Sequence, residues 1–241
     1  MKKIIYACLL IFVLSSCAST GKIPLINNQD EDGGARVFGL SPMVAPSENQ
    51  QAMSYYNLGT RLLHENKLGE AEKYLRQAIE LDPLFVDAMD HLGLVYRRQN
   101  RLAEAEEMYL KSISLNKENK VPYQNLAVIY KMQNRFDEAF RLYVVLVDLD
   151  QNDPEGYYGI GEIFYTLADY ENAILFFDKA LEIYINLKSP YIYDVYFYKG
   201  MMYFGMGEYD EALWFLEEAQ KSYPNNSTIQ SAINEIRSRK A

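Results

Sequence analysis

Gly59, Gly93, Ala127 and Gly161 stand 34 residues apart, and Ala71, Ala105, Ala139 and Ala173 keep the same step. Gly200 and Ala212 continue both series after a step of 39. A fixed period of this size marks an array in which one small unit stacks on the next, because a single unit cannot bury its apolar face alone.

Within a period the pattern is two helices. In the third, Tyr123, Leu126, Ala127 and Tyr130 recur at i, i+3, i+4 and i+7, Asn134 interrupts, and Ala139, Leu142, Tyr143 and Leu146 resume. That spacing predicts amphipathic helices. Asn66, Asn100, Asn134 and Gly207 fall where a helix end wants a residue tolerant of positive φ. Asp82-Pro83 and Asp153-Pro154 predict an N-cap followed by proline in the first helical turn. Ser189-Pro190 predicts a further helix start, so that the fifth unit's first helix begins about a turn early, after a helix running from about Glu171 to Leu187. The aromatic- and methionine-rich stretch from Tyr196 to Pro224 carries Lys199, Glu208, Asp210, Glu211, Glu217 and Glu218. A membrane span needs roughly 20 apolar residues with few charges, so this stretch is the core of a fifth unit.

These residues resemble the tetratricopeptide repeat, a helix–turn–helix unit of the same length. The first repeat matches its pattern as Tyr55, Leu58-Gly59, Leu62, Ala71, Leu75, Ala78 and Pro83, and the fifth as Tyr196, Lys199-Gly200, Tyr203, Ala212, Leu216, Ala219 and Pro224. The repeats are assigned to residues 52–85, 86–119, 120–153, 154–187 and 193–226, with a capping helix at 227–239. The resemblance implies an all-α, right-handed superhelical solenoid of about five repeats, forming one domain over residues 51–241. It further implies that the first helix of each pair lines a concave groove in which a protein or peptide partner binds. Carried over position by position, the groove takes Tyr56, Thr60 and Leu63; Asp90, Leu94 and Arg97; Gln124, Val128 and Lys131; Tyr158, Glu162 and Tyr165; and Phe197, Met201 and Phe204. The residues expected to meet the partner are Tyr56, Leu63, Tyr158, Glu162, Tyr165, Phe197, Met201 and Phe204. Among them, Tyr158, Tyr165, Phe197 and Phe204 are expected to form an exposed aromatic patch, a common mark of an interaction site. The family's carboxylate-clamp members place Lys and Asn where this chain has Tyr56, Thr60, Asp90 and Leu94, which argues against chaperone-tail binding.

The chain opens with Lys2 and Lys3 followed by an apolar run from Ile4 to Leu14, too short to span comfortably, as in a secretory signal. Leu14-Ser15-Ser16-Cys17 resembles the bacterial lipobox, which implies a signal of residues 1–16 and lipid attachment at Cys17. By the same resemblance the non-acidic Ala18 implies an outer-membrane destination. Cys8 is the other cysteine, so the mature chain keeps no thiol for a disulfide, metal or nucleophile. Residues 17–50 are rich in Gly, Pro, Asn, Ser and Asp and read as a flexible tether with a span on the order of 30 Å. At the other end, Asn226 or Ser227 is the expected N-cap of a helix whose apolar stripe is Ile229, Ala232, Ile233 and Ile236.

The formal charge is −9, and leaving out the two leader lysines makes the remainder more acidic still. No basic stripe favours nucleic acid. His64 and His91 have no second ligand at metal spacing, and Gly205-Met206-Gly207 is an inter-helix turn rather than a phosphate loop. No metal, cofactor or catalytic constellation is expected, so the chain reads as a non-enzymatic scaffold anchored by lipid in a bacterial cell envelope. Two other roles fit: accessory subunit of an outer-membrane assembly machine, such as a barrel-assembly or pilus-type lipoprotein, or carrier of a small hydrophobic ligand.

Overall fold

The computed structural model describes residues 47–240. The leader, Cys17 and residues 18–46 of the tether lie outside them. Among the described residues there are eleven α-helices and no strand: α1 Gln50–His64, α2 Leu68–Leu81, α3 Val86–Arg98, α4 Leu102–Leu115, α5 Lys120–Met132, α6 Phe136–Leu149, α7 Pro154–Thr166, α8 Tyr170–Asn186, α9 Ile192–Met206, α10 Tyr209–Ser222 and α11 Ser227–Lys240. Each helix packs on the next. The odd-numbered helices also touch one another from pair to pair, whereas the even-numbered ones do not meet. The array therefore curves, with α1, α3, α5, α7 and α9 on its inner side, as a solenoid of stacked hairpins does.

The turns explain why the pairs fold back. Asn66, Asn100, Asn134 and Gly207 all have positive φ, from 56° to 81°. In each turn the next amide bonds back five residues, as Lys67 N–H does to the Leu62 carbonyl (2.9 Å) and Arg135 N–H to that of Tyr130 (2.8 Å). This closure satisfies carbonyls that the helix end leaves open. The fourth hairpin makes the same turn on Ala168, at φ 59°. A β-carbon in this region costs about 1–2 kcal/mol. Ala168→Gly is therefore expected to stabilise the protein by about 1 kcal/mol, read as a raised urea midpoint, and an unchanged midpoint would show the strain is absent.

Asp153-Pro154 behaves as its sequence predicts: the Asp153 carboxylate accepts from Glu155 N–H at 3.0 Å, and Pro154 begins α7. Asp82-Pro83 does not. Asp82 closes α2, its carboxylate accepts from Leu84 N–H (3.1 Å), and the cap of α3 is Phe85. Asn116 and Asp150 make the same local turn. These three lie in register with one another, three residues ahead of the true cap position. The predicted helix start at Ser189-Pro190 is likewise corrected. The Ser189 hydroxyl accepts from Tyr191 N–H (3.2 Å) across a turn, and α9 starts at Ile192. The extra residues lengthen α8, which runs 17 residues against 14 in α2, α4, α6 and α10.

Small residues set the spacing between paired helices. Ala71, Ala105, Ala139, Ala173 and Ala212 are fully buried. Gly93 shows why its position is small: a Cβ there would stand 2.7 Å from the Tyr109 ring. Between repeats, an ionic contact recurs that the apolar pattern does not reveal. Arg101 lies over the Tyr96 ring (4.4 Å) and bonds Glu72 of the previous repeat (2.7 Å). Arg135 does the same with Tyr130 (3.9 Å) and Glu106 (3.0 Å). One repeat later Phe140 replaces the glutamate and packs edge-on to Phe164 at 6.1 Å. Lys199, where the pattern wants leucine, is buried with its ammonium 2.5 Å from Asp178 and 4.6 Å from the Phe215 ring centre. At the end, Asn226 caps α11 by accepting from Thr228 and Ile229 N–H, and Ile229, Ala232, Ile233 and Ile236 are buried as one stripe.

Candidate functional site: the concave face

Along α1, α3, α5, α7 and α9 the groove positions form three rows. The first row, Tyr56, Asp90, Gln124, Tyr158 and Phe197, is buried throughout. The second, Thr60, Leu94, Val128, Glu162 and Met201, is partly exposed in every repeat. In the third row Leu63 and Tyr165 are buried, while Arg97, Lys131 and Phe204 are partly exposed.

The expected exposed patch of four aromatics does not form. Tyr158, Tyr165 and Phe197 are 5%, 2% and 3% exposed, and Phe204 alone reaches the surface in part. All three pack around Tyr198, with ring centres 6.0, 4.9 and 5.8 Å away, and Tyr198 also stacks on Phe177 at 5.0 Å. A seven-residue spacing places two side chains on one helix face but is silent on what the next repeat lays over that face. Here the next repeat lays Tyr198 over Tyr158 and Tyr165, while Phe197 is buried beside Tyr198 on the same helix. The size of Tyr198 was a signal, since the equivalent residues are Asn57, His91, Asn125 and Gly159.

Glu162 is engaged as well. Lys131 forms an ion pair with it, and the Tyr198 hydroxyl donates to it at 2.9 Å. Burial alone would lower the Lys131 pKa, but the Glu162 carboxylate outweighs burial and holds it above its ordinary value. Hydroxyl–carboxylate links recur across the C-terminal repeats, where the Tyr184 hydroxyl donates to Glu155 (2.6 Å) and that of Tyr223 to Asp194.

The N-terminal half of the groove is ionisable. Asp90 accepts from the Asn119 side-chain amide (2.7 Å), and its carboxyl is buried beside the Ser112 hydroxyl. Burial raises Asp90 to about 7 and Asp87 to about 6. Burial, then Asp87 and Asp90, raises Tyr56, and burial lowers His91, whose ring Nδ1 lies 2.9 Å from the Asp87 carbonyl oxygen. A carboxyl whose pKa is raised on folding favours the folded state when protonated. Its contribution is present below its ordinary pKa near 4 and is lost as pH rises through about 7. Asp90→Asn is therefore expected to melt above wild type at pH 8, with the gap closing toward pH 5. A gap independent of pH would show that Asp90 stays ionised.

The described residues contain no cluster of three or more His, Cys, Asp or Glu able to hold a metal. No described helix is long and apolar enough to cross a membrane. An open pocket of about 470 Å³ lies outside the rows, between Asn49 at the start of α1 and Leu84-Phe85 in the α2–α3 turn.

The comparison with curated proteins finds no match. Among solved structures, a tetratricopeptide repeat protein from Parabacteroides merdae ATCC 43184 is similar at 23% identity and TM-score 0.64, over 78% of this chain and 72% of that one. A chain of the APC/C hetero-tetramer Cut9–Hcn1 is similar at 22% identity and TM-score 0.68, over 79% of this chain but 37% of that one. YrrB, described as having an unusual peptide-binding site, is similar at 24% identity and TM-score 0.57, over 77% of this chain and 93% of that one. These likenesses concern the fold. Family profiles described as tetratricopeptide repeat match residues 56–118, 108–141, 154–184 and 194–226. With helix pairs stacked in the same register, the chain belongs to the tetratricopeptide repeat family.

Proposed function

We propose that this protein is a scaffold that binds a partner protein or peptide along its concave face while a lipid on Cys17 holds it at the bacterial envelope, at the outer membrane. The observation that carries the binding role is the second groove row, in which each repeat presents one partly exposed side chain to the inner side: Thr60, Leu94, Val128, Glu162 and Met201. A ligand lying along the array meets all five in turn. The family supports the reading, since its fold serves protein–protein interaction. The anchor rests on Leu14-Ser15-Ser16-Cys17 behind a basic, apolar leader.

Two measurements test it. Cys17→Ser should move the protein from washed membranes to the soluble fraction, because one lipidated residue is the proposed anchor. A mutant that still pellets, with a wild type that takes up no lipid label, would remove the anchor. A photo-crosslinking residue at Thr60, Leu94 or Val128 should trap a partner in cells, whereas one at the exposed, even-helix position Leu175 should not. Equal trapping from both faces would remove the groove.

A further inference from the structure

Arg97 and Lys131 occupy the same groove position one repeat apart, yet their charges are treated differently. Lys131 is matched by Glu162, which stands in the second row of the following repeat. The residue that stands so to Arg97, one repeat earlier, is Val128. Among the described residues no carboxylate lies at ion-pair distance from Arg97 or from its neighbour Arg98, whose Nη1 donates to the Leu63 carbonyl at 3.3 Å. Arg97 Nε and the Tyr109 hydroxyl are buried beside one another, and that hydroxyl is neutral, so it gives the guanidinium no counter-charge. Burial lowers the Arg97 pKa, Arg98 adds to the lowering, and Tyr109 opposes it. A buried charge left without a counter-charge is costly even where a neutral group stands beside it. A guanidinium is matched best by a carboxylate, two parallel N–H···O bonds at a time.

We propose that Arg97 receives a carboxylate of the bound protein or peptide, an acidic side chain or a C-terminus, in the place that Glu162 takes beside Lys131. The occupant follows from charge complementarity: within this fold the same position is already matched once, and by a carboxylate. Leu94 and Val128 beside it, both partly exposed, favour a carboxylate flanked by apolar residues. Arg97 is none of the positions of the carboxylate clamp, which here are Tyr56, Thr60, Asp90 and Leu94. The inference rests on the groove reading and narrows it to a ligand chemistry.

The test uses ¹⁵N-labelled chain from Ala18 onward, which keeps every described helix, with the Arg97 Nε–H resonance assigned by its loss in Arg97→Gln. Three probes are titrated: acetyl-Ala-Leu-Glu-Leu-Ala-amide, acetyl-Ala-Leu-Gln-Leu-Ala with a free C-terminus, and the neutral acetyl-Ala-Leu-Gln-Leu-Ala-amide. At least one anionic peptide should shift the resonance and the neutral one should not; which anionic peptide acts tells a side chain from a terminus. Arg97→Gln should weaken that peptide about tenfold or more, as loss of a charge-assisted pair does. Val128→Glu supplies the carboxylate internally, so it should raise the melting temperature and weaken the peptide to a similar extent. No shift from either anion, an equal shift from the neutral peptide, or full affinity in Arg97→Gln would overturn the proposal. So would a change in the Arg97 resonance, without peptide, on neutralising Asp30, Glu31 and Asp32, because the chain's own acidic run would then be the occupant. Groove crosslinks that persist unchanged in Arg97→Gln would leave the scaffold reading standing and this site refuted.

Discussion

Phe177→Ala is expected to destabilise the array by about 3–5 kcal/mol, the range for deleting a fully buried aromatic ring. Phe177 is 0% exposed at the centre of α8. Its ring stacks on Tyr198 at 5.0 Å and meets Tyr158 edge-on at 5.5 Å, so it joins the fourth repeat to the first helix of the fifth. A Cβ on Gly161 would already touch it at 3.0 Å, which shows how little room the site has to collapse. In a solenoid each repeat is held by its neighbours, so the loss should concentrate at the fourth–fifth junction. Hydrogen exchange should accelerate in α8 to α11 before it does in α1 to α4. A melting curve within 1 kcal/mol of wild type would mean that this junction is not a packed core.

Gly159→Ala is expected to destabilise by about 2 kcal/mol, overpacking outweighing the roughly 1 kcal/mol that alanine gains over glycine inside a helix. The new Cβ would lie 2.2 Å from both Cε1 and Cζ of Tyr143, whose ring is itself buried. Gly156, one turn earlier on α7, meets the Tyr143 carbonyl and the Val147 amide, which are backbone and cannot swing aside. Together the two glycines let α7 seat closely on α6. Gly69 is the control, because a Cβ there meets nothing within 4 Å. Gly69→Ala should stabilise by about 0.5–1 kcal/mol. Equal effects at the two positions, in denaturant unfolding, would show that the approach of α7 to α6 is looser than these distances.

The repeat architecture was legible because it depends on quantities a sequence displays directly. A 34-residue period, apolar spacing of three and four, and an Asn or Gly at each hairpin end are one-dimensional patterns, and each follows from local geometry. Gly59, Gly93, Gly161 and Gly200 also announced the close approach of paired helices, since they recur in register. Gly156 and Gly159 did not recur, so nothing in the period marked them. The turn at Ala168 escaped for the opposite reason: alanine is an ordinary helix residue, and only closure of the hairpin forces it to positive φ.

The groove was legible as a register and not as a surface. Position along a helix says which way a side chain leaves the axis, and that much the sequence decided for Tyr158, Tyr165 and Phe197. Whether the residue then meets water depends on what other helices pack against it: Tyr198 closes over Tyr158 and Tyr165, and Tyr56, Asp90 and Gln124 are buried at the equivalent first-row positions without a tyrosine there. Charge pairing has the same character. Sequence shows a lysine and an arginine at equivalent positions, but only the stacked helices decide that Lys131 finds Glu162 while Arg97, among the described residues, has no carboxylate at ion-pair distance. Period and helix type are local free energies summed along the chain. Exposure and pairing belong to contacts between repeats, where one substitution some 30 residues away changes the environment of a side chain that has not itself changed.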